Sequence, residues 1–449
     1  MTRALLHPAR LIPMSFLAAI LVGTAALMLP VSSAGAAAAP ALVALFTAVS
    51  AVCVTGLAVV DTATYWSGFG HFIILLLFQL GGFGFMTAAT VVSLMVSRSL
   101  PLGRRLVAQA ETRSVTVGDV NRILGLVLRV TLITEGLIAA VLAVRFAIVD
   151  QLPWANAVWM GVFHSISAFN NAGFALFSDG LMGFAGDPWI LLPIMAGVVV
   201  GGIGFPVLAD LIRSRRPSSR WSLHTRLTLI GYIALLLLGI LLVAFAEWHN
   251  PGTFGPMAVG TKLLNAAFHS VVARTAGFNA VDVGQFTTET LSLTYFLMFI
   301  GGGSAGTAGG VKVATVMLLL VAVLAEARGE KDTVAFRRRI PTAAIRQAVA
   351  IRQAVAVIVM GLACVVAGTF ALLVVTDLPM EVVMFEVVSA FATVGLSTGI
   401  TPTLPAEAQW VLIVLMYVGR VGTIGLATAL ALKRLPTLHR YPEERPIIG

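Results

Sequence analysis

Four glycines, Gly56, Gly173, Gly277 and Gly395, stand at one position of a recurring sequence and point to chemistry that needs no reactive side chain: coordination of a dehydrated cation by backbone carbonyls. Each closes a short apolar stretch: "FTAVSAVCVTGL" from Phe46, "FHSISAFNNAGF" from Phe163, "FHSVVARTAGF" from Phe268 and "FEVVSAFATVGL" from Phe385. Phenylalanine leads to glycine in ten residues in three copies (46 to 56, 163 to 173, 385 to 395) and in nine in the other (268 to 277). A short helix entering a membrane points its partially negative C-terminal end at its tip, and the extended backbone that follows can offer carbonyl oxygens there. The segments in question are Val54-Thr55-Gly56, Asn171-Ala172-Gly173, Thr275-Ala276-Gly277 and Thr393-Val394-Gly395. Glycine permits a turn and a close approach that a Cβ would obstruct. A single such glycine reads as helix packing through small residues; four at equivalent positions favour a cation filter.

The elements that must hold these segments follow the same repeat. Each begins with a long apolar run, 11–29, 123–149, 227–246 and 349–376, and each filter stretch is followed by a second glycine-bearing element: "GGFGF" at Gly81, "GGIGF" at Gly201, "GGGSAG" at Gly301 and "GRVGT" at Gly419. The unit is therefore a span, a short segment ending in glycine, and a second span. The short segments cannot cross a hydrocarbon core of roughly 30 Å as helices and must enter and return on one side. Irregular backbone is tolerated in a membrane only beside protein or water, so their ends should line an aqueous path. The fold class expected is all-α integral membrane, four fused helix–pore-loop–helix repeats (eight spans) around one pseudo-fourfold pore. The repeats cover 11–98, 122–212, 224–327 and 346–434, with a C-terminal tail at 435–449.

Composition agrees. A chain 58% hydrophobic and 11% charged, with mean hydropathy +0.97, is not a soluble globular domain. Its net charge of +9 reads as basic cytoplasmic loops in contact with membrane lipid rather than as a surface for nucleic acid. The links between repeats carry the bases: Arg98, Arg104, Arg105, Arg113 and Arg122; Arg213, Arg215, Arg216, Arg220 and Arg226; Arg328, Lys331, Arg337, Arg338, Arg339, Arg346 and Arg352; and finally Lys433, Arg434, Arg440 and Arg445. The other side holds Asp61, Asp150, Asp179, Asp187, Glu247, Asp282, Glu289, Asp377, Glu381 and Glu407. The positive-inside rule then puts both termini in the cytoplasm and the four short segments at the outer face. "MTRALLHPAR" with the apolar run after it has features of a signal peptide, but nineteen residues from Leu11 to Leu29 match a span, and the repeat requires one there. Cys53 and Cys364 lie in apolar segments without metal-ligand spacing and read as packing residues.

The segments "VTGL", "NNAGF", "RTAGF" and "TVGL" resemble those of the Trk/Ktr/HKT family of potassium transporters, over nearly the whole chain. The resemblance implies K+ selectivity where every filter segment has glycine, whereas a serine in the first marks some Na+-transporting plant members; position 56 is glycine. With no extra pair of spans before the first repeat, the chain is more similar to the Ktr-type membrane subunit than to the longer Trk-type one. It further implies homodimers in the bacterial cytoplasmic (inner) membrane, and a cytosolic nucleotide-binding regulatory ring docked on the basic loops. No cofactor is implied in this chain: K+ is the substrate ion, Na+ an activator or coupling ion, and ATP or ADP would act only through the partner.

Residues 301–310 hold six glycines in ten positions, which disfavours continuous helix inside an apolar stretch. In the family this region is an intramembrane gate, here Gly301, Gly302, Gly303, Ser304, Ala305, Gly306, Thr307, Ala308, Gly309 and Gly310. Tight helix packing is the alternative. Lys312 either closes the inner end of this gate or snorkels to the cytoplasm. Arg420 falls deep in the last span, where a charge is expensive and functional by default. It resembles the family's arginine below the filter, which with the gate opposes leak; pairing with an acid such as Glu135 or Asp210 is the structural alternative. Arg274 precedes the third filter segment and either lines the outer vestibule or braces the pore helix. His164 and His269 share a repeat position with Thr47 and Glu386, which speaks against a metal site and for hydrogen bonding of the pore helices.

Gly301, Gly303 and Gly306 match G-x-G-x-x-G with Glu326 about twenty residues on, but no strand or β-α-β unit surrounds them, so the match carries nothing. An intramembrane enzyme would need converging nucleophiles, acids or metal ligands within the spans; no H-E-x-x-H occurs, and the G-x-S-x-G formed by Gly302 to Gly306 lies in the glycine run with no clustered His and Asp beside it. A secondary transporter of inverted repeats would need alternating orientations, whereas the basic links set all four copies the same way.

Overall fold

The computed structural model describes residues 8–35, 37–98, 117–213, 221–329, 334–335, 338–339 and 346–422. Arg104, Arg105, Arg113, Arg215, Arg216, Arg220, Lys331, Arg337, Lys433, Arg434, Arg440, Arg445 and the tail 435–449 lie outside the described residues. Within them the chain is all-helical apart from one antiparallel hairpin of two-residue strands, β1 (Val334–Ala335) and β2 (Arg338–Arg339).

The helices run in the order α1 (Pro8–Leu27), α2 (Ala41–Val52), α3 (Thr62–Tyr65), α4 (Gly68–Arg98), α5 (Val117–Ile148), α6 (Trp154–Asn170), α7 (Pro188–Gly202), α8 (Phe205–Arg213), α9 (Leu223–Glu247), α10 (Val259–Val272), α11 (Thr288–Phe299), α12 (Val313–Ala327), α13 (Arg346–Val375), α14 (Met380–Ala392) and α15 (Ala406–Tyr417), which passes into a π-helical turn at Val418–Gly422. Among the described residues three stretches are long and apolar enough to cross a bilayer alone: Gly125–Ile148 in α5, Leu223–Glu247, which is α9, and Ala354–Val375 in α13. Their outer faces are apolar, as lipid requires. On α9, Leu237, Leu241 and Phe245, spaced by one helical turn, are 60%, 67% and 84% exposed, while Gly231, Gly239 and Val243 face the protein.

The small residues on that inner face permit close helix packing. A side chain on Gly231 would meet Met317 and Val313 of α12, and one on Gly239 would meet Ser270 of α10 and Leu297 of α11. The phenylalanines that lead the repeated stretches, Phe46, Phe163, Phe268 and Phe385, are all buried and anchor α2, α6, α10 and α14 in the core. Phe163 meets Phe78 of α4 edge to face at 5.5 Å, and Phe385 meets Tyr295 of α11 at 5.8 Å, pairings worth about 0.5–1.5 kcal/mol each.

The second glycine-bearing elements do not behave alike. α4 runs through "GGFGF" unbroken. α7 and α8 are bent by 97° at Ile203 and Gly204, where a single continuous span was expected. Gly204 has φ +96, a conformation closed to most residues, and Pro206 follows at the start of α8, so the helix cannot continue in line. α11 and α12 are separated by the loop through 301–310, and the fourth element forms the π-helical turn.

Candidate ion pathway

α2, α6, α10 and α14 have 12, 17, 14 and 13 residues, each short of the roughly 20 that cross a bilayer. Three begin on a proline, Pro40, Pro153 and Pro379, whose fixed φ sets the entry of the chain; α10 begins after Ala258. All four end the same way. The residue two before each glycine has positive φ (Val54 57°, Asn171 58°, Thr275 125°, Thr393 50°), and the glycines follow with φ of 95°, 72°, 68° and 93°.

The N–H groups of the intervening residues turn back to their own helices. Thr55 N–H donates to Ser50 O, Ala172 N–H to Ser167 O and Val394 N–H to Ser389 O, all at 2.8 Å. The third copy is one residue shorter and makes the corresponding bond one residue closer, from Ala276 N–H to Val272 O at 2.9 Å. With the donors committed to the helices, the carbonyls of these residues face their neighbours.

They form a closed ring. A Cβ on Gly56 would lie 2.5 Å from Ala172 O, and one on Gly173 would lie 2.6 Å from Ala276 O; a Cβ on Gly277 would collide with Val394 O, and one on Gly395 with Thr55 O. Segment one thus abuts two, two abuts three, three abuts four, and four returns to one. No residue larger than glycine fits at any of the four contacts without displacing backbone. The ring residues are uncharged, so an ion held there would interact with carbonyl dipoles and helix C-termini alone.

Side chains behind the ring lock it, and several were not marked by the sequence reading. Ser50 and Ser389 accept the N–H of Gly56 and Gly395, each at 3.0 Å, and Ser167 donates to Phe174 O at 2.8 Å. Their signal was available: serine stands four residues after the leading phenylalanine in three copies, with Val272 in the other. His164 donates from Nδ1 to Met160 O at 2.8 Å and accepts on Nε2 from Leu176 N–H at 3.2 Å, so it ties the chain beyond the second glycine to α6. His269 pairs with Thr294 Oγ1 at 3.0 Å, and buried Glu386 accepts from Ser397 and Thr401 beyond the fourth glycine. Arg274 does not line a vestibule. It is 2% exposed, lies 3.7 Å over the Tyr232 ring and donates to Tyr232 O at 3.1 Å, bracing α10 against α9. Cys53 and Cys364 are free thiols; Cys53 is buried at the end of α2.

The loop between α11 and α12 packs against the break between α7 and α8. Gly303 N–H donates to Gly202 O at 2.8 Å, Thr307 N–H to Gly201 O at 3.1 Å, and Phe205 N–H to Ala305 O at 3.3 Å. Its ends close on each other through Gly301 N–H to Val311 O at 3.0 Å and Val313 N–H to Gly302 O at 3.0 Å. Ala305 and Gly310 have φ of 57° and 62°. On the far side, a Cβ at Gly309 would collide with Thr393 of the fourth segment, so the loop reaches from α7 across to that segment.

Two cations meet this loop. Arg420, 1% exposed in the π-helical turn, donates to Thr307 O. Lys312 folds back, with Nζ donating to Ala308 O at 2.5 Å and Gly309 O at 3.3 Å, rather than extending away. The acids considered as partners of Arg420 hydrogen-bond elsewhere, Glu135 to Gln79 and Asn170, Asp210 to Ser222 and Thr225.

The structure therefore gathers the glycine segments around one ring and sets the loop against it, with Lys312 and Arg420 bonded to the loop. Short helices that stop within an apolar core, irregular backbone enclosed by protein, and lipid-suited outer faces define an all-helical integral membrane protein. Residues 2–437 match the TrkH cation transport protein family. The chain is 39% identical to the Ktr system potassium uptake protein B of Bacillus subtilis, over 98% of this chain and 97% of that one, and 38% identical to the protein of the same name from Vibrio alginolyticus, over 98% and 94%. The crystal structure of the potassium transporter TrkH from Vibrio parahaemolyticus superposes with a TM-score of 0.69 at 19% identity, covering 95% of this chain and 84% of that one. The chain belongs to the TrkH cation transport protein family, whose members are transporters rather than enzymes.

Proposed function

We propose that this chain is the pore-forming subunit of a Ktr-like system that takes up K+ across the cytoplasmic membrane of a bacterium. The reading rests on one observation above all, the closed ring in which each filter glycine faces the carbonyl of the next segment. Such a ring can replace the hydration shell of a cation without any charged group. The potassium uptake proteins to which it is similar over nearly their whole length support K+ as the ion.

In this reading the chain has four helix–pore-loop–helix repeats and eight spans, at 11–98, 122–212, 224–327 and 346–434, with cytoplasmic termini. Val54 to Gly56, Asn171 to Gly173, Thr275 to Gly277 and Thr393 to Gly395 form the selectivity filter. The 301–310 loop is the gate beneath it, held shut by Arg420 and Lys312. Arg420 also sets a fixed positive charge near the path, which opposes leak of cations. The working unit is a homodimer under a cytosolic nucleotide-binding subunit, with transport dependent on Na+.

The test is cation flux through the purified protein in liposomes with no partner added, K+ compared with Na+. Selective K+ flux supports the pore; equal Na+ flux overturns the filter reading.

A further inference from the structure

Asn171 occupies the left-handed position that ends α6, a conformation asparagine tolerates better than most residues. Its side chain, 2% exposed, lies between two threonines from distant parts of the chain, 2.9 Å from Thr275 Oγ1 and 3.1 Å from Thr307 Oγ1. One amide orientation satisfies every group. Thr275 O–H donates to the amide oxygen; the amide nitrogen donates to Thr307 Oγ1 and faces the carbonyls of Ala168, Phe169 and Val198 at 3.3 Å; Thr307 O–H donates to Phe169 O at 3.1 Å. Thr275 and Thr307 are also buried, at 1% and 0% exposure.

This unit joins the ring to the loop. Asn171 and Thr275 immediately precede Ala172 and Ala276, whose carbonyls face the neighbouring glycines, while Thr307 is the residue whose carbonyl accepts Arg420. If Thr307 withdraws, the buried amide loses its shortest acceptor and keeps only the carbonyls at 3.3 Å, so Asn171 must shift toward them. Thr275 then loses its anchor as well.

Resting on the gate reading above, we infer that Asn171 couples gate to filter: the closed loop holds the second and third filter segments in register, and opening it relaxes two of the four carbonyl donors. Selectivity and gating then share one hydrogen-bonded element, and by linkage an ion in the ring favours the closed loop. Asn171 acts here as a positioning residue.

The experiment uses the full chain in liposomes and measures initial K+ and Na+ fluxes for Thr307→Val and Thr275→Val, which remove one hydroxyl each at nearly constant shape. Thr307→Val should lower the K+ to Na+ flux ratio, although Thr307 is not in the ring. Thr275→Val should raise K+ flux, although Thr275 is not in the loop. Each change should be roughly three- to tenfold, the factor set by one buried hydrogen bond. The double variant should go no further than the larger single one, and Thr307→Ser and Thr275→Ser should restore both values.

Should either valine variant fail to fold, Asn171→Gly keeps the left-handed backbone and removes the amide, and it must alter ratio and flux together. The coupling is overturned if Thr307→Val changes flux alone, if Thr275→Val changes the ratio alone, if the two effects multiply, or if Asn171→Gly moves neither quantity. Deleting 303–309 separates the two readings: a deletion that leaves flux unchanged refutes the gate itself, whereas a deletion that raises flux beside uncoupled point variants refutes only the coupling.

Discussion

Arg420 donates from its guanidinium to the backbone carbonyl of Thr307, joining the π-helical turn after α15 to the middle of the loop between α11 and α12. Because the acceptor is a backbone carbonyl, the loop's conformation and not its side chains decides whether the bond exists. A hydrogen bond to a charged group contributes about 1.5–3 kcal/mol. Arg420→Ala should therefore raise basal K+ flux by roughly tenfold or more if this bond holds the loop closed. A folded Arg420→Ala protein with unchanged flux contradicts the gate reading.

Removing residues 303–309 takes away the glycines that pack against Gly202 and Ile203 together with Thr307. K+ flux should rise, and adding Arg420→Ala should raise it by less than the same change does in the intact chain, since the bond to Thr307 is gone and only the fixed charge of Arg420 is left to act. Additive effects in a flux assay would show that Arg420 acts elsewhere.

Gly56 has φ +95, and a side chain there would press on Ala172 O. Backbone strain of this kind costs about 1–3 kcal/mol. Gly56→Ser should still fold but shift the carbonyls of two adjacent segments, and the K+ preference over Na+ should fall by about tenfold or more. Relative uptake kinetics for the two ions provide the check, and an unchanged ratio removes Gly56 from the filter.

Ser389 accepts the Gly395 N–H, and Ser50 does the same for Gly56. Replacing either by alanine leaves a buried donor unpaired at a cost of about 1–3 kcal/mol. Ser389→Ala should lower both the thermal midpoint and the K+ to Na+ ratio, while Thr376→Ala, just beyond the C-terminal end of α13, should leave the ratio alone. Equal effects at the two sites would mean a general loss of stability.

At the protein surface Asp61 accepts from Ser178 Oγ at 2.6 Å, Thr64 Oγ1 at 2.7 Å and Ala63 N–H at 3.0 Å, linking the loops after the first and second glycines. Partial burial favours the neutral acid, but these hydrogen bonds outweigh it and hold the carboxyl below its usual 3.8. A lowered pKa gives stability that is present above the ordinary value and is lost as pH falls through the lowered one. Asp61→Asn should therefore melt earlier than the parent at pH 7, and the gap should close below about pH 3.8. A gap independent of pH would rule out the charged hydrogen bonds as its source.

Much of this arrangement is legible in the sequence, because chain geometry writes it there. A position that must adopt positive φ beside a neighbour's carbonyl admits glycine alone, so Gly56, Gly173, Gly277 and Gly395 stand out once the copies are aligned. The single-residue difference in the third copy also has a local cause, the shorter bond from Ala276 to Val272. The bend between α7 and α8 was not legible, since "GGIGF" and the unbroken "GGFGF" differ only in their middle residue; Pro206, directly after the former, was the available sign. Arg274 could not be assigned for a different reason: its partner Tyr232 is 42 residues away, and no spacing rule links them. The same holds for Asn171 and Thr307, which meet only because the loop packs against the second segment.

In the proposed function the ring of Thr55, Ala172, Ala276 and Val394 carbonyls holds the transported ion. Anomalous diffraction from crystals grown in Rb+ tests it most directly. Anomalous density should appear on the axis of that ring and be displaced by added K+ but not by the same concentration of Na+. An empty ring in saturating Rb+, with the ion bound elsewhere, would contradict it.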